Sequence, residues 1–145
     1  MELDKFRSVW NSIFRPDLLV SERLLKNLSR LYPLILVSNT NEVHAEFIAQ
    51  RYSLFEYFTH KVLSFEVGSM KPEALIFERA IALSGRRPEC LFFVDDRAEN
   101  VEGARTLGMQ AHQFKSEAEL VKALLAAGVD VAMFNGDQNH SNGEK

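Results

Sequence analysis

The sequence has 145 residues, of which 46% are hydrophobic and 10% aromatic, values typical of one globular domain and not of a disordered chain. Its 17 Lys and Arg residues are balanced by 20 Asp and Glu residues, which argues against a nucleic-acid-binding protein with a basic surface. The single cysteine excludes an intramolecular disulfide. No apolar run approaches the roughly 18 residues that span a bilayer, and the N-terminus lacks the apolar core of a signal peptide. We therefore expect a cytoplasmic protein that binds neither membrane nor nucleic acid.

Helical and strand patterns alternate along the chain. Apolar residues at helical spacing predict helices at residues 6–14 and 18–31, and the continuous apolar run at 33–37 predicts a buried strand. Further strands are predicted at residues 61–65, 90–94 and 109–114, and further helices at 42–52, from Pro72, at 99–107 and at 117–127. This alternation predicts an α/β fold with a mostly parallel sheet, in which Cys90 lies in the core.

Polar residues follow three of the predicted strands. Ser38 and Asn39 follow the first strand, Lys71 precedes the helix after the second, and Asp95 and Asp96 follow the third. Ligands of open α/β sheets bind beyond the carboxyl ends of the strands. A hydroxyl and an amine suit phosphoryl oxygens, and paired carboxylates suit Mg²⁺. Taken singly, each feature also fits a helix cap, a turn or a solvated side chain. Their combination predicts a site for phosphate and a divalent metal.

The same residues stand in the order and spacing of three motifs of the haloacid-dehalogenase-like (HAD) hydrolase superfamily, which residues 34–109 resemble. The second motif is an apolar strand ending at Ser38, the third is Lys71 followed by Pro-Glu, and the fourth is Asp95-Asp96 with Asn100 behind it. These versions resemble the sugar-phosphate phosphatases of the superfamily. The resemblance implies a three-layer, Rossmann-like parallel sheet.

The resemblance also implies a role for each matched residue. The catalytic residues are Ser38 and Lys71, which bind the transferring phosphoryl group together with Asn39. Mg²⁺ is held by Asp95 and Asp96, and Asn100 supports the acidic loop. The implied reaction is phosphoryl transfer from a small phosphorylated metabolite to an aspartate and then to water.

The first motif of the family, an Asp-x-Asp that supplies the nucleophile and the acid/base, has no counterpart in this sequence. Residues 1–32 resemble the C-terminal part of the family's helical cap, residues 33–130 its α/β core without the first strand, and residues 131–145 are predicted to be a flexible tail. We therefore expect the chain to begin inside the cap, to represent the C-terminal portion of the enzyme and to be inactive alone.

The absent motif also removes a strand. In the family fold that strand lies between the strands that end at Ser38 and Asp96. Its absence leaves backbone groups of both strands unpaired, a loss of roughly ten hydrogen bonds at about 1 kcal/mol each. That sum is comparable with the roughly 5–15 kcal/mol by which whole domains are stable. We expect a marginally stable chain, a homodimer, or a partner that supplies the strand.

Two other functions compete with a truncated phosphatase. A non-catalytic HAD-like module that binds phosphate or a protein remains the alternative. A receiver-like signalling domain also combines acids, a hydroxyl and a lysine on a parallel sheet. Receivers place the acidic pair first and the lysine last, whereas here Ser38 and Lys71 precede Asp95, so the order of the residues disfavours this class.

Overall fold

The computed structural model describes residues 21–51 and 53–129 of the chain. The predicted helix at 6–14 and the predicted tail at 131–145 lie outside these residues. The described elements, in chain order, are α1 (Glu22–Leu31), β1 (Ile35–Ser38), α2 (Glu42–Arg51), a 3-10 turn (Ser53–Tyr57), β2 (His60–Leu63), α3 (Ser64–Val67), α4 (Ala74–Ser84), a second 3-10 turn (Pro88–Cys90), β3 (Phe92–Asp95), α5 (Ala98–Thr106), β4 (Gln110–Gln113) and α6 (Glu117–Ala126). The α/β class is confirmed.

The strands form two parallel pairs. β1 pairs with β2, with Val37 opposite Val62, and β3 pairs with β4, with Phe93 opposite Ala111. Among the described residues these pairs are separate two-stranded sheets. The sequence predicts one mostly parallel sheet, and the division falls between the two strands that flank the absent first-motif strand in the family fold.

One face of both strand pairs is covered by α4 and α5. Phe77 of α4 places its ring edge-on against Phe93 of β3, with the ring centroids 5.2 Å apart. The buried residues of this cluster come from both strand pairs and from both helices: Val62, Ile76, Phe77, Ala80, Phe93, Ala104 and Met109. Apolar packing therefore joins the two pairs although no backbone ladder in the described part of the chain does.

The opposite face of β3 is covered by α1 and α6. Phe92 and Val94 of β3 pack against a second cluster formed by Leu24, Phe114, Leu120 and Leu124. Since β3 alternates its side chains between the two faces, it is enclosed between two layers of helices. This arrangement confirms the predicted three-layer architecture. No helix within the described ranges is long and apolar enough to cross a bilayer.

The second predicted strand ends earlier than the sequence suggests. β2 stops at Leu63, and Ser64 begins the short helix α3. The Ser64 hydroxyl accepts from the Thr40 N–H and donates to the Thr40 carbonyl, both at 2.8 Å, which ties the start of α3 to the end of β1. Gly68 then ends α3 with a φ of 75°, a left-handed conformation that favours glycine.

Pro72 does not open a helix, so that expectation is wrong. It lies in a turn, and α4 begins at Ala74. The Glu73 carboxylate accepts from the Met70 N–H at 2.8 Å, and the Glu73 N–H donates to the Met70 carbonyl at 2.8 Å. These contacts hold the segment that carries Lys71 in a turn ahead of the helix.

Cys90 is exposed, and the expectation that it lies in the core is wrong. Pro88 starts a 3-10 turn that includes Cys90, and the Cys90 N–H donates to the Arg87 carbonyl. The third strand consequently starts at Phe92, two residues later than the apolar run. The apolar pattern identifies the strand correctly but not its first residue.

Candidate active site

The first part of the site lies at the end of β1. Ser38 is the last residue of this strand and is buried, with 4% of its surface exposed. Asn39 follows directly, and Thr40 is held by Ser64 as described above. The sequence forms this turn because the apolar strand residues give way to a run of side chains that make hydrogen bonds.

Lys71 lies in the loop between α3 and α4, and hydrogen bonds hold both its N–H and its carbonyl group. Its N–H donates to Asn39 Oδ1 at 2.8 Å, and its carbonyl accepts from Asn39 Nδ2 at 3.1 Å. Its ammonium donates to Asp95 Oδ2 at 2.6 Å, and only 12% of the Lys71 and 7% of the Asp95 side chain is exposed. The ammonium also stands 5.9 Å from the centre of the Phe93 ring.

Asp95, the last residue of β3, is the centre of the site. Its Oδ2 accepts from Lys71 and from Asn100 Nδ2, the latter at 3.2 Å, and its Oδ1 accepts from the Arg97 N–H at 2.9 Å. Burial raises the pKa of the Asp95 carboxyl, but the charge of the Lys71 ammonium and the hydrogen bonds with Lys71, the Arg97 N–H and the Asp96 side chain outweigh burial and hold the pKa below its usual value. Asp95 is therefore a carboxylate at neutral pH.

Two further predicted residues flank Asp95. Asn100 lies in α5 and is buried, with 4% of its surface exposed, so its amide is committed to the site. Asp96 is half-buried, and its carbonyl accepts from Gln113 Nε2 at 3.2 Å, which fixes the turn after β3 to β4. Asn100 thus supports the acidic loop through a direct hydrogen bond.

The sequence-predicted site residues come together. A continuous chain of hydrogen bonds runs through Asn39, Lys71, Asp95 and Asn100, and it crosses from the first strand pair to the second. Ser38 and Asp96 are the chain neighbours of this network at the ends of β1 and β3. The roles of these residues in binding or catalysis remain predictions.

Two residues that support the site carry no role in the sequence analysis. Ser64 holds the backbone of Thr40. Gly103 of α5 allows close packing. A Cβ added at this position would lie 2.9 Å from the Pro72 carbonyl oxygen and 2.9 Å from Phe77 Cε2. A glycine inside a helix costs about 1 kcal/mol relative to alanine, so its presence is itself a signal of close packing.

The acidic residues fit a small hard cation. Mg²⁺ in proteins is commonly held by one or two carboxylates, with waters and substrate phosphates completing the shell. Asp95 and Asp96 supply such a pair at the end of β3. No group of three or more His, Cys, Asp or Glu side chains that could hold a metal ion occurs in the ranges that the structure describes.

Several known proteins are similar to this chain. It is 26% identical over 125 residues to D-ribitol-5-phosphate phosphatase of Bacteroides thetaiotaomicron, covering 82% of this chain and 61% of that protein. The crystal structure of a HAD family enzyme from Bacteroides thetaiotaomicron, in complex with magnesium and inorganic phosphate, has a TM-score of 0.58 and 31% identity, covering 67% of this chain and 54% of that one. The chain therefore spans only a little over half the length of these relatives.

Two further matches define the fold and the family. An uncharacterized protein of Corynebacterium glutamicum has a TM-score of 0.62 at 21% identity, covering 75% of this chain and 84% of that one, and this likeness shows the fold alone. The family model of haloacid dehalogenase-like hydrolases matches residues 15–108, which is most of the chain. The chain belongs to the haloacid dehalogenase-like hydrolase family.

Proposed function

We propose that this chain carries the phosphate- and cation-binding part of a Mg²⁺-dependent phosphatase that acts on a small phosphorylated metabolite. The observation that carries the proposal is the hydrogen-bonded chain of Asn39, Lys71, Asp95 and Asn100 at the carboxyl ends of β1 and β3. The activity of the Bacteroides phosphatase suggests a substrate of the size of a sugar-alcohol phosphate. We also propose a cytoplasmic location.

The chain's own residues account for binding and charge. Lys71 supplies a buried positive charge that attracts a phosphoryl group, and Ser38 supplies a hydroxyl at the adjacent strand end. Asp95 and Asp96 are the groups that hold Mg²⁺, which neutralises phosphoryl charge when bound. With no Asp-x-Asp in the sequence, the phosphoryl group has no nucleophile of the family type, so we expect no turnover by the chain alone.

A strand from elsewhere completes the site in this proposal. β1 and β3 belong to separate pairs among the described residues, and a strand between them that ends in Asp-x-Asp brings the nucleophile to the same edge as Lys71. Its source is a longer form of this protein or a partner protein, because a second copy of this chain lacks an Asp-x-Asp as well. The intact mass of the protein from its native cell tests the first source, because a mass clearly above 16.5 kDa indicates additional sequence.

The catalytic part of the proposal is tested with the purified 145-residue chain. With Mg²⁺ and either D-ribitol 5-phosphate or p-nitrophenyl phosphate, we expect no phosphate release above the blank. Inorganic phosphate should bind in the millimolar range, and Lys71→Met should weaken that binding strongly. Lys115→Met, at an exposed lysine, is the matched control and should leave it unchanged. Mg²⁺-dependent turnover contradicts inactivity, and absence of phosphate binding contradicts the site.

A non-catalytic module that binds phosphate is the second candidate. It is favoured by the direct pairing of Lys71 with Asp95, which leaves the charges of the site compensated without a nucleophile. The two candidates differ in the mass measurement. A native mass near 16.5 kDa together with phosphate binding favours the binding module, whereas a longer protein with turnover favours the phosphatase.

A further inference from the structure

The side chain of Asn39 makes an unusual pair of contacts for a residue placed at the edge of a phosphate site. Its amide oxygen accepts from the Lys71 N–H at 2.8 Å and its amide nitrogen donates to the Lys71 carbonyl at 3.1 Å. An N–H needs an acceptor and a carbonyl needs a donor, so these partners fix which end of the amide is oxygen. The Asn39 amide is committed to the main chain of a residue 32 positions away.

Lys71 depends on such contacts because it belongs to no helix or strand. Its ammonium nevertheless reaches Asp95 at 2.6 Å in a nearly buried position. The segment is also confined on its far side, where Pro72 packs against the bare Cα of Gly103. Lys71 is therefore constrained by Asn39, which follows β1, and by Asp95 of β3. Pro72 is constrained by Gly103 of α5.

We propose that Asn39 is a positioning residue that holds the backbone of Lys71 so that its ammonium is fixed between the two strand pairs. This inference rests on the proposed function for its consequence, which is phosphate binding by Lys71. Asn39 acts on phosphate through Lys71, and its own amide contributes no direct contact. A change at Asn39 therefore alters Lys71 first and phosphate affinity as a result.

Asn39→Leu tests the proposal because it keeps the branched shape of the side chain and removes both hydrogen bonds. The measurement is amide hydrogen exchange of Lys71 by NMR in the full chain, relative to the amide of the core residue Phe77, which corrects for any change in global stability. We expect the relative exchange rate of Lys71 to rise about tenfold or more. The affinity for inorganic phosphate in the presence of Mg²⁺ should fall in the same variant.

Asn41→Leu is the matched control. Asn41 is another amide beyond the same strand, and its Oδ1 accepts from the His44 N–H in the first turn of α2 at 3.0 Å. Its loss disturbs α2 without touching Lys71, so we expect relative Lys71 exchange and phosphate affinity to stay within about twofold of wild type. Should Asn39→Leu not fold, Asn39→Ser replaces it with the same expectations, because its hydroxyl is too short to bond both Lys71 groups.

The outcomes separate this inference from the proposed function. Faster Lys71 exchange in Asn39→Leu supports positioning even if wild-type protein binds no phosphate, a result that contradicts the proposed function alone. Weaker phosphate binding with unchanged Lys71 exchange overturns positioning and makes Asn39 a direct ligand. Unchanged exchange and unchanged affinity likewise overturn it.

Discussion

Single residues at the site carry charge in places that water barely reaches. Lys71 and Asp95 are both nearly buried, and each compensates the cost of removing the other from water. Asp95 also accepts from Asn100 Nδ2 and from the Arg97 N–H, whereas the Lys71 ammonium, within the described part of the chain, donates to Asp95 alone. The pair therefore influences stability as well as ligand binding.

Lys71→Met should destabilise the chain because it leaves the Asp95 carboxylate buried without its cation. Breaking a buried pair by removing one partner costs about 3–5 kcal/mol, and the remaining donors to Asp95 place the expected loss at the lower end of that range. Urea unfolding at neutral pH measures it. Glu99→Gln, which breaks the exposed pair of Arg97 and Glu99, is the control and should leave the midpoint nearly unchanged. Equal effects of the two variants contradict this account.

Contacts between neighbouring elements place the loop that carries Lys71. α5 approaches this loop through Gly103, and the approach is close enough that a Cβ meets the Pro72 carbonyl and the Phe77 ring at 2.9 Å. Backbone and a packed aromatic ring do not yield easily. Gly103 therefore lowers the helix propensity of α5 but lets α5 pack closely against the turn at Pro72 and against α4.

We expect Gly103→Ala to lower the stability of the chain, although replacing a glycine inside a helix by alanine usually raises it. Alanine in a helix is normally about 1 kcal/mol better than glycine, but overpacking here should cost about 1–3 kcal/mol. Denaturant unfolding gives the sign directly. The control is Glu102→Ala, an exposed neighbour in the same helix, which should stay within about 0.5 kcal/mol of wild type. A more stable Gly103→Ala variant contradicts the close contact.

The first described helix is fixed at its start by Ser21. The Ser21 hydroxyl accepts from the Leu24 N–H at 3.2 Å, and the Ser21 N–H donates to Glu117 of α6 at 2.7 Å. Ser21→Ala removes the cap but keeps the second bond, so we expect a loss of about 1 kcal/mol in thermal or urea unfolding. Ser29→Ala, at a half-buried position within the same helix, should cause no comparable loss, because Ser29 caps neither end.

At the scale of the whole molecule, the two strand pairs are joined by helices and by the site. The Thr59 N–H donates to the Leu34 carbonyl, so the backbone groups of Leu34 point toward β2. Because backbone groups alternate in direction along a strand, the N–H and the carbonyl of Val37 point away from β2. By the same reasoning, the Gln110 N–H donates to the Leu91 carbonyl, so those of Val94 point away from β4. β1 and β3 therefore each direct alternate backbone N–H and carbonyl groups to the edge that faces away from their partner strand.

Hydrogen exchange reads those edges directly. In the 145-residue chain we expect the amides of Val37 and Val94, normalised for intrinsic rates, to exchange faster than those of Leu36 and Phe93, which face their partner strands. Val37 and Val94 amides that are as well protected as those of Leu36 and Phe93, at low as well as high protein concentration, contradict the open edges. Protection that rises with concentration indicates that a second copy supplies the missing pairing.

The sequence predicts the order and type of the elements well because these depend on local pattern. Apolar runs identify the strands, and the polar residues after them converge as the fold class requires. The misplaced boundaries have non-local causes: the Ser64 hydroxyl ends β2 by bonding Thr40. The hydrogen bonds of Asn39 to Lys71 span 32 positions, and no local pattern announces such a contact.

The helices that join the two strand pairs have a consequence for any strand that enters between β1 and β3. α4 and α5 already cover one face on both sides of that position, with apolar residues turned inward. Side chains of a strand alternate between faces, so a shift by one residue presents the wrong set to these helices. α4 and α5 would therefore favour those alignments of an incoming strand that turn its apolar side chains toward them, and would disfavour the alignments shifted by one residue.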